Sequence, residues 1–277
     1  MDYKDKELVQ YYFDQLKKLA KKDHCIFIKF DPAIHVNDYD SKSYNINRYK
    51  DTEIYLDIFK SCKATHHGYT MSIADTVQPR FQSNVYSYEN IEETLPKHTK
   101  RLIKDADRRN VQIIHGQGEL LDEFSRLVEL TESRKGVALR DKEYFKTLLE
   151  NYPEGSVIFL ATCNVHQLDK EIAIAGILSI QYGNTCEMLY AGMDERFKKF
   201  MPQYKEYVEN FKWAFDRRCM WSNMGGVEGS LDDGLTKFKD NFNPTINEFI
   251  GEFDIPVYPI MYRLTQKAYE ILKSKHK

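Results

Sequence analysis

Three short stretches carry residues that could do chemistry. In "GGVEGSLDDGLTKFK", Gly225 to Lys239, four glycines make a backbone able to approach a ligand closely. Asp232 and Asp233 stand where they could cap a helix opening near Gly234. On that helix Lys237 and Lys239 flank Phe238. Two residues is about 200° of helical turn, so the two lysines face different ways. A lysine beside an aromatic ring can hold a phosphate or a carboxylate. The spacing is not GxxxxGK[ST], which excludes a P-loop. The same residues also read as a capped surface helix with solvent lysines and one core phenylalanine.

Arg140 and Tyr144 stand four apart at the start of "RDKEYFKTLLENYP" and so project from nearly one face. Arginine at a helix start is a fork for phosphate, aided by the helix dipole; pairing with a surface acid is the plainer use. Asp31 ends the apolar run "HCIFIKFDP", where acids often serve in open sheets, or merely cap an Asp-Pro turn. "LPKHTKRLIKDADRRN" clusters Lys97, Lys100, Arg101, Lys104, Arg108 and Arg109, interrupted by Asp105 and Asp107. That cluster suits an RNA backbone or anionic lipid, or is a solvated helix face.

These residues need a frame. The 277 residues are 42% hydrophobic and 30% charged, which allows a sizeable core and excludes a disordered chain. A net charge of -2 leaves nucleic-acid contact to local patches. Cys25, Cys62, Cys163, Cys186 and Cys219 show no CxxC spacing, so buried free thiols in a reducing compartment are expected and no metal site. No apolar run is long enough to span a bilayer, and the start is not a signal peptide; a cytoplasmic protein is expected, with peripheral membrane contact allowed. His66 and His67, before Gly68, read as a surface turn.

Periodicity predicts helices over about 4–22, "DTEIYLDIFKSCKA", "PKHTKRLIKDADRR", "GELLDEFSRLVELTESRKG", "RDKEYFKTLLENYP" and "PQYKEYVENFKWAFDRR", with a basic helix at the end. Strands are expected in "HCIFIKFDP", in the stretch broken at Pro79, in "NVQIIHG", and in three consecutive runs, the last two joined at Gly183-Asn184. "CMWSNMGG" and "EFIGEFD" read as one strand each. The pattern is α+β with mixed sheets. Three strands, a helix and a strand from 155 to 224 is the order of the second part of GNAT-like (acyl-CoA N-acyltransferase) domains.

Together these pieces resemble the FemABX family of peptidoglycan branch-forming aminoacyltransferases, most nearly its MurM-like branch. The resemblance rests on "QPRFQSN", "AGILSIQYGNTCEMLYAGM", "KKFMPQY" and "WSNMGGVEGSLDDGLTKFKDNF…EFIGEFD", and covers most of the chain. It implies tandem GNAT-like domains around a cleft. Residues 1–75 and 251–277 would form a partial first domain and 76–250 the second. It implies transfer of L-alanine or L-serine from aminoacyl-tRNA to the lysine side-chain amine of lipid II, or of the UDP-linked muramyl pentapeptide, with no cofactor. Phe238 and Lys239 would line the transfer site, Lys239 stabilising charge on the ester carbonyl. Arg140 and Tyr144 would hold the acceptor diphosphate, Tyr190 would line the same cleft, and Asp31 would accept the amine's proton. Relative to the family the chain is expected to begin within the first domain, and "NVHQLDKEIAIAG" to replace a coiled-coil arm. The alternatives are a non-catalytic paralogue that binds tRNA or precursor, and an acetyl-CoA enzyme, which the lack of a Q/RxxGxG/A loop disfavours. No motif sets an oligomeric state.

Overall fold

A computed structural model describes residues 1–275 except 41, 43, 88, 89, 137 and 166–169. The missing-arm expectation falls partly on 166–169, outside the described residues.

The chain opens with α1 (Lys6–Lys22), whose Asp5 side chain accepts from Leu8 N and so closes the first turn. Val9, Phe13 and Ala20 form its buried stripe. Then come β1 (Phe27–Phe30), β2 (His35–Tyr39), β3 (Asn45–Arg48), α2 (Thr52–Ser61) and β4 (Thr65–His66). The middle is β5 (Phe81–Tyr86), α3 (Ile91–Thr94), α4 (Lys97–Arg108), β6 (Gln112–Gly116), α5 (Leu121–Lys135) and α6 (Lys142–Asn151). There follow β7 (Ser156–Val165), β8 (Lys170–Tyr182), β9 (Thr185–Met193), α7 (Pro202–Asp216), β10 (Trp221–Val227), α8 (Gly234–Lys239), β11 (Thr245–Phe249), β12 (Phe253–Pro256) and α9 (Pro259–Lys275). None of the described helices is long and apolar enough to cross a membrane.

Nine strands form one sheet in the order β3-β2-β11-β5-β10-β9-β8-β7-β6, and β1-β12-β4 form a second. The fold is α+β with a mixed large sheet, as the element pattern predicts. Its parallel pairing is β9 with β10, over Thr185–Glu187 against Trp221–Asn223. α7 supplies the crossover between them, which parallel neighbours require.

Both faces of the large sheet are covered at its β6–β9 end. Phe124, Leu127 and Val128 of α5 and Phe145 and Leu149 of α6 pack on Ile158, Leu160 and Leu178. Tyr207, Val208 and Phe211 of α7 pack on the other face against Ile177, Val85 and Met224. A separate core joins Phe13, Phe59, Phe253 and Ile255 over the small sheet.

The structure differs from the sequence reading at several places. "EFIGEFD" is two strands: β11 pairs with β5 and β2, while β12 pairs with β1 and β4. The break is Gly251 at φ +91°, a backbone state that glycine adopts without strain. β2 and β3 join the large sheet although their polar sequences show little strand signal; pairing on β11 overrides propensity. His66 and His67 are not a surface turn. His66 sits in β4 opposite Phe253, and His67 Nε2 lies 2.7 Å from Asp254 Oδ2. Nor are all five thiols buried as expected: Cys25 is exposed, because it falls in the connection between α1 and β1, while the other four are buried.

Gly192 of β9 lies under α5, and a Cβ there would sit 2.5 Å from the Leu127 carbonyl carbon. Backbone cannot yield as a side-chain tip can. Gly192→Ala is expected to destabilise the fold by about 1–3 kcal/mol in urea unfolding.

Candidate functional site

The parallel β9–β10 pairing stops at Glu187 and Asn223, and both strands then deform. β10 bulges between Asn223 and Gly226, where Gly225 takes φ +84° and donates its N–H to Asn223 Oδ1 at 2.7 Å. β9 shifts register between Met188 and Tyr190. A cleft of about 430 Å³ lies over β9, β10, β5 and β11. Its floor includes Glu187, Trp221, Asn223, Gln82, Asn84 and Asn247, and Asp31, Pro32 and His35 form the facing wall.

The floor is polar because consecutive strands place amides in register. Asn84 pairs with Asn223, and Gln82 with Asn247. Asn84 Nδ2 donates to Asn247 Oδ1 at 2.5 Å, Asn247 Nδ2 to Asp38 Oδ1 at 2.7 Å, and Asn223 Nδ2 to Gln82 Oε1 at 2.6 Å. Each bond fixes a rotamer, so the floor is rigid. Two carboxyls face this cleft. Burial, then the neighbouring Glu252, push Asp31 up to about 6, with Lys29 opposing. Burial pushes Glu187 up to about 7, against a hydrogen bond from Asn223.

Three of the expected site residues come together. Asp141 caps α6 by accepting from Tyr144 N at 2.9 Å, and this presents Tyr144 beside Arg140. The Arg140 guanidinium lies 5.1 Å from the Tyr144 ring centroid. Tyr190 of β9 packs edge-on against Tyr144 and Phe145, at 6.0 and 5.0 Å between ring centroids. Burial first and Tyr144 next raise the Tyr190 hydroxyl's pKa, and Arg140 opposes them. Tyr190 stands three residues past Glu187, so one strand serves both the cleft and this cluster.

Phe238 and Lys239 part company, as neighbours on a helix must. Phe238 packs with Tyr204, Tyr207 and Phe242 and lines a basic surface hollow with Lys198 and Lys199. Lys239 is 3% exposed, and its Nζ donates to the Gly226 carbonyl at 2.7 Å. Gly226 pairs with Gln82, so this contact lies one strand from the cleft floor. Burial lowers the Lys239 pKa to about 7, with Asp233 opposing. Lys237 is exposed, and Asp233 rather than Asp232 caps α8 through Leu235 N and Thr236 N. The basic side chains of α4 lie outside its buried stripe of Thr99, Leu102 and Ala106; Arg108 pairs with Asp105, and Arg109 stacks on Phe200.

Sequence reasoning missed Glu187 and the amide floor. The available signal was a lone carboxylate inside "NTCEMLYAG".

A family model described as the FemAB family matches residues 1–173 and 164–270, two segments that meet at the β7–β8 connection. Aminoacyltransferase FemB of Staphylococcus epidermidis is 23% identical over 333 aligned positions, covering 95% of this chain and 78% of that protein. The solved structure described as FemX superposes with a TM-score of 0.81 at 19% identity, over 95% of this chain and 80% of the other. A tandem GNAT protein from the clavulanic acid pathway superposes at 0.50 with 7% identity, over 88% and 68%. These last two bear on the fold, which is that of tandem GNAT-like proteins.

Because Lys239 is buried, substituting it is not a surface change. Its folded pKa lies below its unfolded value of 10.5, so the unfolded chain binds the extra proton and stability is lost as pH falls from about 10.5 towards about 7. Lys239→Met removes that loss. Wild type is expected to gain stability relative to Lys239→Met as pH rises from 7 to 9, by at most about 1.4 kcal/mol per pH unit, in denaturation at each pH.

Proposed function

Because this chain belongs to the FemAB family and, like its named relatives, is an aminoacyltransferase, we propose that it transfers L-alanine or L-serine from aminoacyl-tRNA to the lysine side-chain amine of lipid II in cell-wall branch synthesis. The observation that supports this most is the convergence of Arg140, Tyr144 and Tyr190 on the strand that also floors a carboxylate-lined cleft. An arginine fork with two phenol hydroxyls suits a diphosphate, and the cleft suits an amine.

The chemistry asks little covalent help. An aminoacyl ester is already activated, so the enzyme must align a neutral amine with the ester carbonyl and stabilise the oxyanion. The amine attacks the carbonyl carbon, a C–N bond forms, and the C–O bond to the tRNA ribose breaks. The ribose oxygen leaves with a proton. An ammonium is not nucleophilic, so a base must take a proton first, a role that falls to a carboxylate of the cleft, whose lining includes Asp31. Lys239 would act at the β10 bulge: one N–H is held by Gly226, and the others remain for an ester oxygen. The basic hollow of Phe238, Lys198 and Lys199 suits the tRNA end.

The test is purified protein with charged tRNA and lipid II, read by mass spectrometry for the branched product. Arg140→Ala should lower kcat/KM for the precursor by about 10- to 100-fold, the range of a charge-assisted hydrogen bond. Absence of product with precursor binding that depends on Arg140 would favour a non-catalytic binder. Thiol release from acetyl-CoA would favour the acetyltransferase reading.

A further inference from the structure

The cleft holds a second carboxylate that the family resemblance does not use. Glu187 projects from β9 onto the cleft floor, across from Asp31. It has no cation beside it: none of the residues lining this cleft is lysine or arginine. Its one close partner is the Asn223 amide, already committed to Gln82. Beside them Asn84 is 3% exposed, and its buried Oδ1 has no partner among the described residues. Trp221 and Tyr86 add aromatic faces to the same floor.

A half-buried carboxyl with no cation costs stability in the empty protein. The cost is recovered by a ligand that brings positive charge and N–H donors. An alkylammonium brings three N–H groups on a compact charge, and aromatic faces receive its stem. Glu187 and Asp31 offer two carboxylates in one cavity of about 430 Å³, the size of a small-ligand site.

We propose that this cleft is the acceptor-amine site, and that Glu187 is a catalytic residue which binds the incoming ammonium together with Asp31 and takes its proton. The proposal rests on the aminoacyl-transfer reading for its reaction but not for its ligand. The ammonium gives one proton to the Glu187 carboxylate and becomes a neutral amine. The amine nitrogen then attacks the ester carbonyl, and its second proton ends on the ribose oxygen as the C–O bond breaks. Glu187 returns its proton to solvent after product leaves. The high Glu187 pKa supports this, since a base matched to neutral pH takes an ammonium proton more readily than an ordinary carboxylate.

Glu187→Gln keeps size and the Asn223 contact but cannot accept a proton. With charged tRNA and lipid II, it should lower kcat/KM for the acceptor by about 100-fold or more. The wild-type kcat/KM should fall as pH drops through about 7, and that acid limb should vanish in Glu187→Gln. Unchanged kcat/KM, or a loss of rate with the acid limb intact, overturns the assignment. Binding is read separately by Trp221 fluorescence in a Trp213→Phe background, titrating Nα-acetyl-lysine amide. Saturable quenching is expected, weakened at least tenfold by Glu187→Gln and absent with the neutral norleucine analogue. If no transfer occurs but this binding holds, the amine site stands and the transfer reading fails. If neither transfer nor binding is seen, the amine site is wrong as well.

Discussion

The short parallel pairing of β9 with β10 is the constraint on which the rest depends. Three residue pairs, Thr185–Glu187 with Trp221–Asn223, tie the two strands before each departs from regular geometry. Parallel neighbours demand a crossover, and α7 provides it, covering one face of the sheet. The bulge at Gly225 then turns β10 so that Lys239, arriving from α8, can reach the Gly226 carbonyl. The other face, on which α5 and α6 pack, stays open over the start of β9 and over β10, β5 and β11, because those helices cover β7, β8 and the later part of β9.

That uncovered face is polar rather than hydrophobic. Amides in register across β10, β5 and β11 satisfy one another, which lets a polar surface persist in a largely buried place. The β1–β12–β4 sheet sits across the gap, joined through Gly251, and carries Asp31 into the opposing wall at the end of β1. Two half-buried carboxyls with raised pKa values and an orphaned amide oxygen concentrate at this cleft, and a buried lysine with a lowered pKa sits at the neighbouring bulge. Stability alone would have removed such groups, and a molecule selected for binding keeps them.

Periodicity made most helices legible, because their apolar stripes and caps are local: Asp5 for α1, Asp141 for α6, Gly136 after α5, Pro202 in α7. The run of three strands, helix and strand was legible for the same reason. β2 and β3 were not, since "HVNDY" and "NINR" carry no apolar alternation and are strands only through β11. "EFIGEFD" looked continuous because its glycine reads as a weak strand residue, whereas its φ moves the chain between two sheets.

By itself the sequence determined residue types and local periods: an α+β chain, a capped helix bearing Phe238 and Lys239, an arginine four before a tyrosine, an acid closing an early strand. Family likeness added an expectation of what those residues are for. Tertiary structure alone decided which of them meet. Arg140 and Tyr144 needed α6 packed beside β9 to reach Tyr190. Phe238 and Lys239, adjacent in sequence, were sent to different surroundings by about 100° of helix rotation. Glu187, unremarked in a strand, became the counterpart of Asp31, 156 positions earlier, because sheet order and a single glycine bring their strands to one cleft. Contact across such separations is a property of register and packing, and no local period encodes it.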